Sequence, residues 1–218
     1  MPEHGDLYLK QIELGPLQNF LYFVGDKNIK EVALVDPAWD VDYLRKVAQQ
    51  EDLTITQIFL THGHPDHVNG LADILRTHDV PVYISRHEAN FYMPRCKNLH
   101  KIEDGDRLKV GSVSFKTILV PGHTPGCQCF LAEGALIAGD AIFIDGCGRC
   151  DLPGGDAGQM YDSLYSIIKK LPSETVIYPG HNYGPAPHAT VAAQNKSNPY
   201  LQCGSKEEFL QTRMGISL

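Results

Sequence analysis

The sequence lacks any long apolar run. No stretch among its 218 residues approaches the roughly 20 apolar residues that a membrane-spanning helix needs. The first six residues are polar, include Glu3 and Asp6, and do not show the basic and then apolar order of a secretory signal. We therefore expect a cytoplasmic protein that does not bind membranes.

Clusters of basic residues are also missing. The chain has 19 Lys and Arg residues against 26 Asp and Glu residues, which gives a net charge of -7. The cationic side chains are scattered, so the sequence does not predict the basic surface that binds nucleic-acid phosphates. Nucleic acid is therefore not expected as a partner, and we expect a monomer or a homodimer acting on a small molecule.

Cysteines are present, but they are not expected to form a disulfide framework. A chain of this length can bury a sizeable core without cross-links, and without an export signal reduced thiols are favoured. Cys147-x-x-Cys150 would suit a redox or zinc site, but no second cysteine pair at suitable spacing follows. The favoured interpretation is buried or loop thiols for Cys127, Cys129, Cys147 and Cys150.

Strand and helix patterns alternate along the whole chain, which predicts one domain over residues 1–218. Alternating or β-branched apolar runs predict strands at 7–14, 20–24, 32–35, 55–60, 80–84, 107–110, 112–120, 128–132, 135–138 and 176–178. Helical spacing predicts helices after Asp40, around 71–75, at 85–92, over 160–171, and on both sides of Asn198-Pro199. Two face-to-face sheets with helices outside, a four-layer α/β sandwich, fit this order.

The segment His62-x-His64-x-Asp66-His67 is the strongest chemical signal. His62 and His64 follow a predicted strand two residues apart, so in extended chain both imidazoles reach one metal ion. Asp66 and His67 come where the chain turns into a helix and can point to a second position. Imidazole and carboxylate suit zinc, iron or manganese. A chance histidine cluster on a solvated loop is the alternative, and it is improbable at this spacing.

Three further residues of metal-ligating type follow predicted strands later in the chain, as the histidine-rich segment does. His123, Asp140 and His181 each follow a predicted strand and lie beside Gly or Pro, which permit and fix tight turns. Each is weak evidence alone, but together they predict a ring of loops at one edge of the sheets. The remaining five histidines are assigned to the surface or to loops: His4, His78, His87, His100 and His188.

These seven positions, in this order, resemble the metallo-β-lactamase superfamily from about Phe20 to Asn198. The resemblance implies that superfamily's αββα four-layer sandwich and two divalent metal ions, zinc first among them. It implies that His62, His64 and His123 hold the first ion and that Asp140 bridges the two. By the same resemblance the second ion is held by Asp66, His67 and His181. Our mechanistic hypothesis is that Asp66 also orients the attacking hydroxide.

The segment Gly146-Cys147-Gly148-Arg149 is similar to one in glyoxalase II enzymes and persulfide dioxygenases, as is His181-Asn182-Tyr183. In those families the region holds glutathione, which implies Arg149 and Tyr183 as substrate contacts. The sequence departs from both families at Cys150-Asp151, and only 37 residues follow His181, so the helical C-terminal domain of glyoxalase II is absent or short. The Cys150–Gly155 segment is closer to short hydrolases of polyketide pathways.

The resemblance leaves several functions open. The first is a hydrolase that cleaves a glutathione- or carrier-linked thioester with a metal-activated hydroxide. The alternative is an iron-dependent dioxygenase acting on glutathione persulfide, which uses only part of the same ligand set. A nuclease is disfavoured by the acidic charge, and a non-catalytic metal-binding module by the presence of all seven ligand types.

Overall fold

Two mixed sheets of six strands each form the centre of the protein in the computed structural model, which describes residues 5–215. His4, predicted at the surface, lies outside this range. The first sheet has the strand order β1-β2-β3-β4-β5-β6. Its strands β1 to β3 pair antiparallel and β3 to β6 pair parallel. These strands are β1 Leu7–Leu14, β2 Asn19–Asp26, β3 Glu31–Val35, β4 Thr54–Phe59, β5 Val82–Ser85 and β6 Leu99–Ile102.

The second sheet has the strand order β12-β11-β10-β9-β8-β7. All its neighbours pair antiparallel except β10 and β11, which run parallel. The strands are β7 Arg107–Val110, β8 Val113–Leu119, β9 Gln128–Ala132, β10 Ala135–Gly139, β11 Val176–Pro179 and β12 Ala189–Thr190.

Helices cover the outer face of each sheet. The first sheet carries α1 Val41–Gln50, α2 Pro65–Val68, α3 Leu71–Leu75 and α4 Arg86–Ala89. The second carries α5 Ala157–Ser166, α6 Val191–Ser197 and α7 Lys206–Met214, with short 3₁₀ helices at Ile168–Lys170 and Pro199–Leu201. Helix α1 begins where the sequence predicted, because the Asp40 side chain accepts a hydrogen bond from the Tyr43 amide.

Three apolar clusters hold these layers together. One lies between the sheets, where the ring of Phe59 stacks on that of Phe130 with centroids 4.8 Å apart. The other two lie between each sheet and its helices. Strand β2 is buried along its whole length, as expected for a strand covered on both faces. The αββα four-layer sandwich predicted from the sequence is therefore confirmed.

Some elements differ from the sequence predictions. The edge strands β6 and β12 were not predicted, because β6 carries exposed His100 and Lys101 and β12 has only two residues. The helix predicted at 85–92 is limited to α4. The helix predicted over 160–171 is interrupted at Ile167, whose φ of -120° and ψ of -70° are not helical, so α5 is followed by a 3₁₀ turn.

No helix within residues 5–215 combines the length and the apolar character required to span a bilayer.

Candidate metal centre

The turn after β4 and the first residues of α2 carry the histidine-rich segment. Parallel strands β3 and β4 end at the same edge of the first sheet, and the turn is buried there. His62 is fully buried and His64 is 7% exposed, whereas Asp66 is partly exposed. Pro65 opens α2, and its ring suits the first position of a helix because no amide donor is needed there.

The first predicted ligand group is brought together. One nitrogen of each of His62, His64 and His123 lies within 4.8 Å of the other two. His64 Nδ1 and His123 Nε2 are 2.9 Å apart. His123 comes from the loop after β8 in the second sheet, so the group joins the two sheets at their common edge.

The second predicted group is also assembled. One ligand atom each of Asp66, His67 and His181 lies within 4.8 Å of the others. The Nε2 atoms of His67 and His181 are 3.2 Å apart, and Asp66 Oδ2 lies 3.5 Å from His181 Nε2. His181 follows β11, and Gly180 before it leaves room for Asp140, since a Cβ there would lie 2.3 Å from Asp140 Oδ1.

Asp140 lies between the two groups, immediately after β10. Its Oδ2 is 3.4 Å from His123 Nε2 and 3.3 Å from His181 Nε2, and its Oδ1 is 3.4 Å from His67 Nε2. One carboxylate thus faces histidines of both groups, which is the position that a bridging ligand needs.

Hydrogen bonds from the first sheet orient two of the histidines. Asp36, at the end of β3, accepts from Thr61 Oγ1 at 2.6 Å and from His67 Nδ1 at 3.0 Å. Because the Thr61 hydroxyl donates to Asp36, its oxygen accepts from His62 Nδ1 at 3.0 Å. The Nε2 atoms of His62 and His67 are therefore directed into the cleft.

Asp36 itself has a φ of 50°, which is unusual for a residue other than glycine. Its carboxylate also accepts from the Thr61 amide at 2.8 Å, so three donors hold this conformation. Asp36 was not predicted from the sequence as a functional residue, although it follows a strand and precedes a proline. That placement is similar to those of His123 and Asp140.

Backbone carbonyls orient two more histidines. His123 Nδ1 donates to the Arg149 carbonyl at 2.7 Å, and His181 Nδ1 donates to the Leu17 carbonyl at 2.8 Å. Each ring consequently presents its Nε2 lone pair to the cleft. Asn19 fixes Asp66 in a similar way, because its Nδ2 donates to the Asp66 carboxylate at 3.0 Å and to the Asp66 carbonyl at 3.1 Å.

The histidines of the cleft differ in the direction in which their pKa values are shifted. Burial and the neighbouring histidines lower the pKa of His62 well below its usual value, and burial and His123 lower the pKa of His64 to about 4. Burial also opposes protonation of His67, but Asp140 and Asp36 outweigh it and raise the pKa of His67 to about 9. Burial opposes ionisation of Asp140, yet His67 and His181 hold the pKa of Asp140 well below its usual range.

The donor set fits divalent metal ions. His62 Nε2 and Asp140 Oδ1 are buried without a hydrogen-bond partner, which is costly unless a cation faces them. His64 Nδ1 lies 2.9 Å from His123 Nε2, and His67 Nε2 lies 3.2 Å from His181 Nε2, so ring nitrogens of four histidines face one another in pairs around the cleft. Five imidazoles and two carboxylates suit zinc, iron or manganese.

Glu88 in α4 is a buried acid that the sequence analysis missed. Its carboxylate accepts from the Gly63 amide at 2.8 Å, from the Gly126 amide at 3.0 Å and from Thr124 Oγ1 at 2.7 Å. Gly63 separates His62 from His64, and Thr124 follows His123. One carboxylate thus ties together the two loops of the first group, and no spacing in the sequence indicates it.

The two predicted substrate contacts both line the cleft. Arg149 and Tyr183 surround its mouth together with Leu17, Phe143 and Leu152. The Tyr183 ring stacks on the His181 ring with centroids 4.6 Å apart. The Arg149 guanidinium is paired with Asp151 by hydrogen bonds of 2.9 and 2.7 Å. The prediction that all four thiols of the two cysteine pairs are buried or in loops is confirmed, since all four are buried.

A four-layer sandwich with clustered histidines and aspartates at one edge of its sheets defines a class of metal-dependent enzymes. The metallo-beta-lactamase superfamily model matches residues 14–181. The chain therefore belongs to the metallo-beta-lactamase superfamily, as the sequence predicted.

Known proteins similar to this chain have different activities. The probable polyketide biosynthesis zinc-dependent hydrolase BaeB of Bacillus velezensis is 35% identical, over 89% of this chain and 87% of its own. The persulfide dioxygenase ETHE1 of Homo sapiens is 32% identical, over 91% and 77%. The hydroxyacylglutathione hydrolase of Photobacterium profundum is 30% identical, over 91% and 75%. The crystal structure of ETHE1 from Myxococcus xanthus aligns with a TM-score of 0.87 at 30% identity, over 97% and 92%.

Proposed function

We propose that the protein is a metal-dependent thioester hydrolase with two divalent cations, zinc being the first candidate. The observation that carries this proposal is the pair of ligand groups that share Asp140 beneath an open cleft. The first cation would be held by His62, His64 and His123, and the second by Asp66, His67 and His181. Asp140 would bridge them.

Such a centre, when bound, lowers the pKa of a coordinated water and polarises a carbonyl oxygen. The chain's own residues prepare the site for this chemistry. Asp36, Thr61 and the carbonyls of Leu17 and Arg149 fix the histidine rings, and the buried turn excludes bulk water from their inner side.

Asp66 is the proposed catalytic carboxylate. It is partly exposed toward the cleft, and Asn19 holds its Oδ2 at 3.0 Å. There it would orient the attacking water and accept a proton at the carboxylate. The thiolate that leaves the thioester is stable enough to depart without a strong acid. Arg149 and Tyr183, at the cleft mouth, are the proposed substrate contacts.

The relatives support hydrolysis as the reaction class, since two of the three compared sequences are named hydrolases. A second candidate, iron-dependent oxidation of a persulfide, is favoured by the similarity to the human persulfide dioxygenase. Two histidines and one carboxylate of the same site would suit a single iron ion.

One preparation divided into three assays tests the proposal. Bound metals are measured by elemental analysis, hydrolysis by thiol release from thioesters, and oxygenation by oxygen uptake with glutathione persulfide. We expect two metal ions per chain and thiol release without oxygen uptake. Oxygen uptake without thioester hydrolysis, with one iron per chain, would overturn the first proposal and support the second.

A further inference from the structure

Exposed apolar side chains are concentrated around the mouth of the metal cleft. Six large hydrophobic side chains are exposed among the described residues, and four of them lie here. We name these four the apolar rim: Leu17, Phe91, Met93 and Tyr183. The other two, Ile29 and Tyr43, do not line the cleft or its neighbouring hollow. Exposed apolar groups gathered in one place are typical of a binding surface.

The rim continues into the ligand histidines on two sides. On one side the Tyr183 ring stacks on His181, and Phe143 lies edge-on to both rings at 5.4 and 5.7 Å. On the other side Tyr92 lies edge-on to His64 at 5.2 Å. A ligand on the rim would therefore be in direct reach of the metal centre.

Phe91 and Met93 border a hollow of about 280 Å³ beside the turn, next to the main cleft of about 230 Å³. Gly63, between the two ligand histidines of the turn, lines this hollow. The Phe91 ring also packs against Gly154, because a Cβ at Gly154 would lie 2.4 Å from it. The four rim residues thus lie in two neighbouring hollows, Leu17 and Tyr183 in the cleft and Phe91 and Met93 in the hollow beside the turn.

The cleft has few cationic side chains that could bind a negatively charged thiol carrier such as glutathione. Arg149 is the only Lys or Arg among the residues that line it, within the described part of the chain. Asp151 already occupies its guanidinium with two hydrogen bonds, of 2.9 and 2.7 Å. The carboxylates of glutathione would have to displace Asp151 to reach this cation. The existing ion pair therefore reduces the binding free energy that glutathione would gain from Arg149.

We propose that the apolar rim binds a non-polar acyl group, so that the substrate class is an apolar acyl thioester on a thiol without nearby carboxylates. This inference rests on the proposed thioester hydrolysis and specifies its substrate. The acyl chain would lie on the rim while its carbonyl reaches the metal centre. Addition of water would break the C–S bond and give a carboxylate, a free thiol and one proton released to solvent.

The test uses the metal-loaded protein and acetyl, butyryl, hexanoyl and octanoyl thioesters of N-acetylcysteamine, a neutral thiol, and of glutathione. We expect kcat/KM to rise about twofold to fourfold with each added methylene until the rim is filled, as for buried apolar surface. The glutathione series should not exceed the neutral series. Hydrolysis that is independent of chain length, or a glutathione preference above about tenfold, would overturn the inference.

Absence of hydrolysis with every thioester would instead contradict the proposed function, so the two failures are distinct. Binding of non-hydrolysable S-alkyl thioethers of N-acetylcysteamine, followed by calorimetry, gives a readout that does not need turnover. Affinity should increase with alkyl length, with a negative change in heat capacity. Binding without these trends would contradict the inference.

Two variants in the apolar rim and one matched control variant test whether the dependence on acyl chain length arises at the rim. Leu17→Asn and Met93→Gln replace side chains that are 46% and 63% exposed, and Ile29→Asn replaces one that is 56% exposed elsewhere on the surface. The rim variants should weaken the dependence on chain length, and the control should retain it. Should Leu17→Asn dissociate a dimer and leave the acyl preference unchanged, the rim is a subunit interface and the inference is wrong.

Asp151→Asn tests the role of the ion pair. Freed from Asp151, Arg149 should improve kcat/KM for glutathione thioesters by about twofold to fivefold, the range of an exposed ion pair. The neutral thioesters should be unaffected. An equal change in both series would show that Asp151 acts on the loop and not through Arg149.

Discussion

The carboxylate of Glu88 accepts a 3.0 Å hydrogen bond from the amide of Gly126, where a Cβ on the glycine would lie 1.9 Å from the Glu88 nitrogen. Glu88 also accepts from Gly63 and Thr124, so it joins the two loops that present the first ligand group. Its closeness to Gly126 leaves no space for a larger residue. The distance between the two loops is therefore set by a residue that contributes no ligand.

Replacement of Glu88 by Gln should weaken metal binding about 10- to 100-fold, because the amide cannot accept from all three donors and the loops lose their common anchor. Competition with a chromophoric chelator measures this without turnover. Glu103→Gln is the control, since Glu103 is an exposed acid paired with Arg86. Equal metal affinity in both variants would contradict the role assigned to Glu88.

Replacement of Asp140 by Ala should abolish binding of two metal ions, because this residue faces histidines of both groups. Turnover should fall about a thousandfold or more, since a metal centre contributes several kcal/mol to catalysis. Elemental analysis and thiol-release assays measure both effects. Asp162→Ala, which removes an exposed partner of Lys206, should bind and turn over normally. Two bound ions and full activity in Asp140→Ala would refute the ligand assignment.

The thiols should react in an order set by their burial. Cys96 is partly exposed and the other five cysteines are buried. Burial raises the pKa of the Cys147 and Cys150 thiols, the latter to about 11, so both are poor nucleophiles at neutral pH. A chromogenic disulfide should rapidly label one thiol in the folded wild-type protein and none in folded Cys96→Ser. After unfolding, all six thiols of the wild type should react. Only four thiols after unfolding would reveal a disulfide instead.

Stability should depend on Asp26 in a defined range of pH. Its carboxylate accepts from the Ser112 hydroxyl and amide and from the Asn28 amide, which lowers the pKa of Asp26 to about 2 from 3.8. Folding thus favours the ionised form, and this stabilisation is present above about pH 4 and is lost as the pH falls toward 2. Asp26→Asn should lower Tm at pH 7 and converge with the wild type near pH 2.

Asp79→Asn, at an exposed carboxylate, serves as the control and should change Tm little at either pH. A difference between Asp26→Asn and the wild type that does not depend on pH would mean that hydrogen-bond geometry, not ionisation, carries the effect.

Local sequence determined the elements and the ligand types. Apolar runs predicted the internal strands because a buried strand needs continuous or alternating apolar residues, and Asp40 marked the start of α1 through its side-chain cap. The short strands β6 and β12 had no such pattern, because they are held by pairing with a neighbour rather than by their own apolar residues.

The proposed ligand residues could also be identified in the sequence, since His, Asp, Gly and Pro at strand ends have a local chemical meaning. The partners that orient them were decided only by the tertiary structure. These hydrogen bonds join residues that are 25 to 38 positions apart in the chain, and they are made by Asp36, Glu88 and the carbonyl of Arg149. Hydrogen bonds over such separations depend on how the sheets and loops pack, and no local pattern encodes that packing.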